Sequence, residues 1–222
     1  MPAEPAYVRS MQRAALMTAD ELLRAHIPDK RTELVRGVLM VREPAGWRHG
    51  EVTARLTRLL MDHVDARMSG RVVAAETGFK LQTDPDTVRA PDIGFVSLPR
   101  LPDPRTAGFP ALAPDLVVEV LSPGDLPGEV LAKVSDWLTA GTRLVWVIDP
   151  ERRLARVYRQ DGSESIVPAD GALDGEDVLP GFTAPSRPSS SHSRDRRPSS
   201  FRTETPKHPL RITGIPYARE HA

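Results

Sequence analysis

Residues 114–123, with the sequence PDLVVEVLSP, constrain the fold of this 222-residue chain more than any other segment. A short run of apolar β-branched residues that ends in Ser-Pro predicts a buried central strand. Because side chains alternate along a strand, Asp115 and Glu119 share one face, and the opposite face is apolar throughout. A charged carboxylate inside a strand is costly unless a cation pairs with it. The segment therefore predicts a strand that presents carboxylates to a site. The simpler alternative is an aspartate at a strand end and a Glu119 that pairs with a nearby Arg or Lys.

The elements predicted around this strand are hairpins and helices. In chain order, they are a short helix opened by a capping box at Thr18, a hairpin at 33–41, a helix at 47–67, a second hairpin with arms at 71–82 and 89–98, the central strand at 115–121, a helix at 126–140, and strands at 143–149, 154–159 and 166–167. The unit 115–149 predicts a right-handed parallel crossover, whereas hairpins are antiparallel. The predicted class is therefore α/β (α+β), with a mixed sheet flanked by helices.

The composition divides the chain into three parts. Residues 1–17 show no clear pattern and are predicted to be an N-terminal arm, 18–185 a single folded domain, and 186–222 a disordered tail rich in Ser, Arg and Pro. The tail holds eight Arg or Lys against three Asp or Glu, and the rest of the chain holds 22 against 27. The folded part is thus slightly acidic, so its bulk charge does not indicate nucleic-acid binding, although a local basic patch is compatible with it.

Several classes of protein are excluded or disfavoured. The chain has no cysteine, which excludes disulfide scaffolds, zinc-thiolate sites and cysteine nucleophiles. No apolar run approaches the roughly 18 residues of a membrane span, and residues 1–16 lack the apolar core of a secretory signal, so we expect a cytoplasmic protein with no membrane partner. Neither a glycine-rich phosphate loop nor a serine nucleophile elbow is present.

Two further residues are candidates for a site with Glu119. Asp92 follows Pro91 at the predicted start of a strand, where a turn aspartate that caps the strand is the simpler alternative. Lys133 lies at the edge of the apolar stripe of the helix at 126–140 and points partly toward the sheet, although a snorkelling lysine would show the same pattern. The combination is more specific than its parts, because all three residues can converge at one end of the sheet.

This combination resembles the PD-(D/E)xK nuclease superfamily, and in particular its Uma-two family of restriction-endonuclease-like proteins. The resemblance covers roughly residues 15–182, and the central strand with its trailing Ser-Pro is its most specific part. The matching segments are Glu33-Leu34-Val35-Arg36-Gly37, His49-Gly50, Arg89-Ala90-Pro91-Asp92-Ile93, the central strand, Lys133 and Trp146-Val147-Ile148-Asp149-Pro150.

The resemblance implies a restriction-endonuclease-like fold and metal-assisted hydrolysis of phosphodiester bonds. Asp92 and Glu119 would bind Mg²⁺ or Mn²⁺, with Glu76 on the preceding strand as an outer ligand. Lys133 would be the catalytic lysine, and Lys133→Ala is expected to abolish cleavage with little loss of stability. Glu33 and His49 match recurring family positions and would complete the site, although a surface histidine at a helix N-terminus is an equal alternative for His49.

The chain departs from the family pattern at two places. The superfamily places a lysine two residues after the central acid, but that position is Leu121. The resemblance implies that Lys133 takes over from the helix. The second departure is the tail, which begins abruptly and indicates a shifted reading frame in the gene or a lineage-specific extension.

Two rival functions stay open beside a DNA endonuclease. One is a catalytically inactive nuclease fold that binds nucleic acid or a protein partner, which the missing lysine at position 121 and the acidic core favour. The other is an unrelated interaction domain in which the acids form structural ion pairs. A homodimer is expected from the resemblance alone.

Overall fold

The computed structural model describes residues 16–25, 27–28 and 30–186, and three α-helices and twelve β-strands lie in these ranges. The helices are α1 (Ala19–Arg24), α2 (Trp47–Arg67) and α3 (Pro127–Thr139), and Leu98–Arg100 form a 3-10 turn. The strands are β1 (Arg31–Val35), β2 (Val38–Arg42), β3 (Gly70–Ala74), β4 (Phe79–Gln82), β5 (Thr87–Arg89), β6 (Ile93–Ser97), β7 (Leu116–Val120), β8 (Leu144–Asp149), β9 (Leu154–Arg159), β10 (Glu164–Val167), β11 (Ala172–Asp174) and β12 (Thr183–Pro185). Apart from residues 16, 17 and 186, the predicted arm and tail lie outside the described residues.

The predicted α/β (α+β) class is confirmed by a mixed six-stranded sheet with the order β10-β9-β8-β7-β6-β3. Its central strands β7 and β8 are parallel and are connected through α3, and the other described pairs in this sheet are antiparallel. All five residues of β7 and all six of β8 are buried, as expected for short apolar strands with both faces covered.

The second predicted hairpin is wrong as a single unit, because both of its arms are divided between two sheets. Strands β3 and β6 pair in the six-stranded sheet, whereas β4 and β5 belong to a four-stranded sheet with the order β2-β1-β5-β4. The chain passes from the large sheet to the small one between β3 and β4, and returns between β5 and β6. These two crossings place Glu76 and Asp92 at the junction of the sheets. Alternating apolar residues indicate strands but carry no information about which sheet a strand joins.

The helices cover opposite faces of the large sheet. Helix α2 packs its apolar stripe, including Leu56 and Leu60, on the face that contains Ile93, Val118 and Trp146. Helix α3 packs on the other face through the buried residues Val134 and Trp137, which contact a cluster that includes Val117, Val145 and Val147. By strand alternation, Glu119 points to the α3 face. No helix in the described ranges combines the length and apolar character that crossing a membrane requires.

Candidate active site

The register of the large sheet places Asp92 beside Glu119. Strand β6 runs antiparallel to β7 with Phe95 opposite Leu116 and Ile93 opposite Val118, so the residue before β6 reaches the level of Glu119. The backbone N–H of Val120 donates a hydrogen bond to Asp92 Oδ2 over 2.7 Å. Two carboxylates from neighbouring strands are therefore held at one end of the sheet.

Lys133 joins these carboxylates from α3. Its Nζ lies 2.9 Å from Glu119 Oε2 and 3.1 Å from Glu33 Oε1, and it also donates to the backbone oxygen of Ala90 over 3.0 Å. The lysine side chain is only 19% exposed, so it does not extend into solvent as the snorkelling alternative requires. The amine of Lys133, although its backbone lies on α3, is thus in contact with carboxylates from β1 and β7.

Burial raises the pKa of Glu119 to about 7. The ammonium group of Lys133 lowers this pKa, but the negative charges of Asp92 and Glu33 add to the effect of burial. The other oxygen of the carboxylate, Oε1, accepts a hydrogen bond from Trp137 Nε1 over 2.8 Å. Glu119 is therefore held in one orientation, with at least one lone pair on each oxygen left for another ligand.

The neighbouring charges keep Lys133 protonated and Glu33 ionised. Burial alone would lower the pKa of Lys133, but the carboxylates of Glu119, Glu33 and Asp92 outweigh it and raise that pKa. Burial would likewise raise the pKa of Glu33, but the cations of Lys133 and Arg89 outweigh it and lower that pKa. An amine held as ammonium donates hydrogen bonds and places a positive charge in the site, and it does not accept a proton.

His49 contacts the second carboxylate from the first turn of α2. Its Nε2 lies 3.1 Å from Asp92 Oδ2, and the histidine is only 9% exposed. Burial would raise the pKa of Asp92, but the hydrogen bond and charge of His49, with the N–H of Val120, outweigh it and lower that pKa. The surface-histidine alternative is thus wrong, because His49 is buried against an acid of the site.

Glu76 lies at the mouth of the site, but not on a strand as predicted. It follows the end of β3 in a bend with a φ of 61°, because the chain turns there toward the small sheet. Its Oε1 lies 3.3 Å from Arg31 Nε, and Arg31 Nη1 lies 3.9 Å from Asp92 Oδ1. Arg31 thus links the two carboxylates that the sequence assigned to one metal ion, and no sequence signal pointed to it.

Arg89 and Asp136 extend the network of ion pairs around Glu33. The buried guanidinium of Arg89 donates to Glu33 Oε2 over 2.9 Å through Nη1 and to Asp136 Oδ2 over 2.6 Å through Nη2. Arg89 lies in the matching segment 89–93, in which the resemblance implies a role only for Asp92. Asp136 lies three residues after Lys133 and so shares its helix face, which is the spacing that could have identified it.

Asp115 does not belong to this cluster, although it shares a strand face with Glu119. It lies at the opposite end of β7, where its Oδ1 is 2.7 Å from Arg100 Nη1 and its Oδ2 accepts from the N–H of Ser97. A face of a strand extends over several residues, so a shared face does not bring two side chains to one site.

The donor set of the site is compatible with a hard divalent cation that keeps several waters. In the part of the chain that the structure describes, no group of three or more His, Cys, Asp or Glu side chains is arranged to hold a metal ion. The pair Asp92 and Glu119 nevertheless offers carboxylate oxygens next to a cavity of about 70 Å³. Mg²⁺ is commonly held by one or two carboxylates and waters, so these two residues fit it.

Comparisons with known proteins identify the family of the chain and the fold that it shares. The chain matches the model of the Uma2 family, described as "Putative restriction endonuclease", over residues 19–187. Its fold is similar to a crystal structure of "a putative nuclease belonging to DUF820" from Anabaena variabilis ATCC 29413, with a TM-score of 0.68, 22% identity, and coverage of 77% of this chain and 95% of that chain. No curated protein matches the chain. The family match spans well over half of the sequence and confirms the predicted resemblance: the chain belongs to the Uma2 family.

Proposed function

We propose that this protein is a metal-dependent endonuclease that hydrolyses phosphodiester bonds of DNA. The observation that carries the proposal is the position of Lys133, whose amine lies 2.9 Å from Glu119 although the usual lysine position is Leu121. Membership of a family described as restriction endonucleases and a fold shared with a nuclease-type structure support the same reaction class.

Asp92 and Glu119 would hold Mg²⁺ or Mn²⁺, and Glu76 would contribute from the mouth of the cavity. When bound, such a cation polarises a scissile phosphate and lowers the pKa of water. Lys133, kept as ammonium, would donate a hydrogen bond to the attacking water or to the negative charge that develops on the phosphate. This assigns Lys133 to electrostatic stabilisation and leaves the removal of the water's proton to another group.

Glu33 and His49 would act as positioning residues. Glu33 contacts both Lys133 and Arg89, so it helps to hold the amine of Lys133 next to Glu119. His49 faces Asp92 Oδ2, which leaves Oδ1 as the oxygen directed toward Arg31 and the cavity. These contacts support a role in orienting the two principal carboxylates, rather than direct contact with the substrate.

The alternative is a catalytically inactive nuclease fold that binds nucleic acid or a protein partner. One observation favours it: the protein's own cations, Lys133, Arg89 and Arg31, already pair with the acids of the site. The predicted homodimer stays a prediction.

Cleavage of supercoiled plasmid DNA tests the proposed function. Nicked and linear products are expected with Mg²⁺ or Mn²⁺, and none with EDTA or with Asp92→Asn. Cleavage that persists equally in Asp92→Asn or in EDTA would contradict the assignment. A folded protein that binds DNA but never cleaves it would favour the inactive alternative.

Metal binding is expected to stabilise the fold through the same carboxylates. A ligand that binds only the folded state at 100 times its Kd adds about 2.7 kcal/mol to the free energy of unfolding. The thermal midpoint should therefore rise with Mn²⁺ in the wild type and rise much less in Asp92→Asn. Asp103→Asn removes an exposed acid in a loop and should keep the full shift. Equal shifts in wild type and Asp92→Asn would remove Asp92 from the metal site.

A further inference from the structure

We propose that Arg31 and Arg42 form a two-arginine clamp that binds a phosphodiester group of the nucleic-acid substrate at the mouth of the site. The inference rests on the proposed function and adds the residues that bind the backbone of the substrate. Arg31 and Arg42 are directly opposite each other in the antiparallel pair β1–β2. Side chains at opposite positions of such a pair point to the same face, and both arginines line the cavity that contains Asp92 and Glu119.

Placing two arginines opposite each other works against the stability of the hairpin. Like charges at directly opposite positions repel each other, and this pairing is destabilising in antiparallel sheets. Each arginine is drawn to a different acid: Arg31 to Glu76 over 3.3 Å and Arg42 Nη2 to Glu129 Oε2 over 3.1 Å. The hairpin therefore presents two guanidinium groups to the same cavity, which is an arrangement that an anion between them would stabilise.

The charge of the cavity explains why a polyanionic substrate needs this pair. Six Asp or Glu and three Arg or Lys line the cavity. The third of these cations, Lys133, already contacts two carboxylates and a backbone oxygen. An acidic cavity repels phosphate groups, so positive charge at its mouth has to offset the repulsion. Among the residues that line the cavity, Arg31 and Arg42 are the ones placed to do so.

The contacts of Arg31 also leave donors for a ligand. Its Nε donates to the backbone oxygen of Glu43 over 3.1 Å, which anchors the guanidinium at one end. Its Nη1 approaches Asp92 Oδ1 only to 3.9 Å, which is longer than a hydrogen bond. An anchored guanidinium with donors directed into a cavity matches the fork geometry that binds two phosphate oxygens. Such contacts position a nucleic acid without reading its sequence.

Equilibrium binding of a fluorescently labelled DNA duplex, measured in EDTA over a range of salt concentrations, tests the clamp. Arg31→Gln and Arg42→Gln should each weaken binding, and the slope of log K against log salt should become shallower by about 1 when a phosphate contact is lost. Arg143→Gln is the matched control, because Arg143 is also partly exposed and paired with an acid, Asp177, but does not line the cavity. Its affinity and salt slope should equal those of the wild type.

Calorimetric titration with Mn²⁺ provides a second measurement that needs no cleavage. Arg31 is the cation nearest to Asp92 Oδ1, an oxygen that would also be available to a metal ion, so Arg31→Gln should bind Mn²⁺ several-fold more tightly than the wild type. Arg42 faces Glu129 and Asp125 instead, so Arg42→Gln should bind Mn²⁺ as the wild type does. Arg31→Gln should thus weaken the affinity for DNA and increase the affinity for Mn²⁺. Loss of a merely structural arginine would not change the two affinities in opposite directions.

The outcomes separate the clamp from the proposed function. A wild-type protein that binds neither DNA nor Mn²⁺ would overturn both. A wild-type protein that binds both, with Arg31→Gln and Arg42→Gln equal to Arg143→Gln, would overturn the clamp alone. If circular dichroism shows that Arg31→Gln is unfolded, Arg31→Lys replaces it: the point charge is kept and the fork is lost, so weaker DNA binding than in the wild type supports the clamp, and unchanged binding overturns it.

Discussion

Glu119→Gln is expected to reduce phosphodiester cleavage by about 1,000-fold or more while the protein stays folded. The substitution removes the central carboxylate of the proposed metal pair, and the loss of preorganised charge stabilisation at a reacting phosphate has effects of this order. The fold should tolerate the change, because burial raises the pKa of Glu119 to about 7 and a neutral side chain is therefore compatible with its surroundings at neutral pH.

Initial rates of plasmid nicking with Mg²⁺ and Mn²⁺, together with circular dichroism, measure this effect. Glu164→Gln is the matched control, since it makes the same chemical change at an exposed position of the edge strand β10 and should leave the rate unchanged. A Glu119→Gln protein that cleaves within tenfold of the wild type would exclude Glu119 from the metal pair.

Lys133→Met is expected to abolish cleavage and also to destabilise the fold by about 3 kcal/mol or more. Methionine keeps much of the side-chain volume but leaves the buried carboxylates of Glu33 and Glu119 without the cation between them. Removing one partner from a buried ion pair is costly because the remaining charge stays desolvated. From the sequence alone, removal of this lysine was predicted to cost little stability. Because Lys133 is buried between two carboxylates, we instead expect a large loss.

The pH dependence of unfolding distinguishes this cause from a simple packing defect. Without Lys133, the folded-state pKa of Glu119, which burial already raises, rises further, and Glu33 loses one of the two cations that lower its pKa. A group with a raised folded pKa favours folding below its unfolded pKa and loses that contribution as the pH rises through the folded pKa. Urea unfolding should therefore show a smaller deficit for Lys133→Met at pH 5 than at pH 8. A deficit independent of pH would indicate lost packing, and Lys133→Met/Glu119→Gln should recover part of the stability without recovering cleavage.

The sequence predicted the central strand, both long helices and the meeting of Asp92, Glu119 and Lys133, because these depend on local periodicity and on adjacent strands in one sheet. It did not predict the division of residues 71–98 between two sheets, which depends on tertiary pairing. The partners Arg31, Arg89 and Asp136 were also missed, since an ion pair between residues far apart in the chain leaves no periodic signal. For Asp115, the structure supports the simpler alternative of an aspartate at a strand end, since it pairs with Arg100 away from Glu119.

The junction of the two sheets makes the proposed activity dependent on the completeness of folding. Glu33 belongs to the small sheet, Glu119 to the large one, and Lys133 to the helix that follows β7. The three charged groups therefore come into contact only after the chain from residue 33 to residue 133 has folded. During synthesis, Glu33 and Glu119 leave the ribosome before α3, so a partly synthesised chain can contain both carboxylates before the amine of Lys133 is available to pair with them. Because the proposed activity depends on contacts between residues far apart in the chain, we expect it to arise late in folding, and a partly unfolded molecule should lose it before it loses its helices.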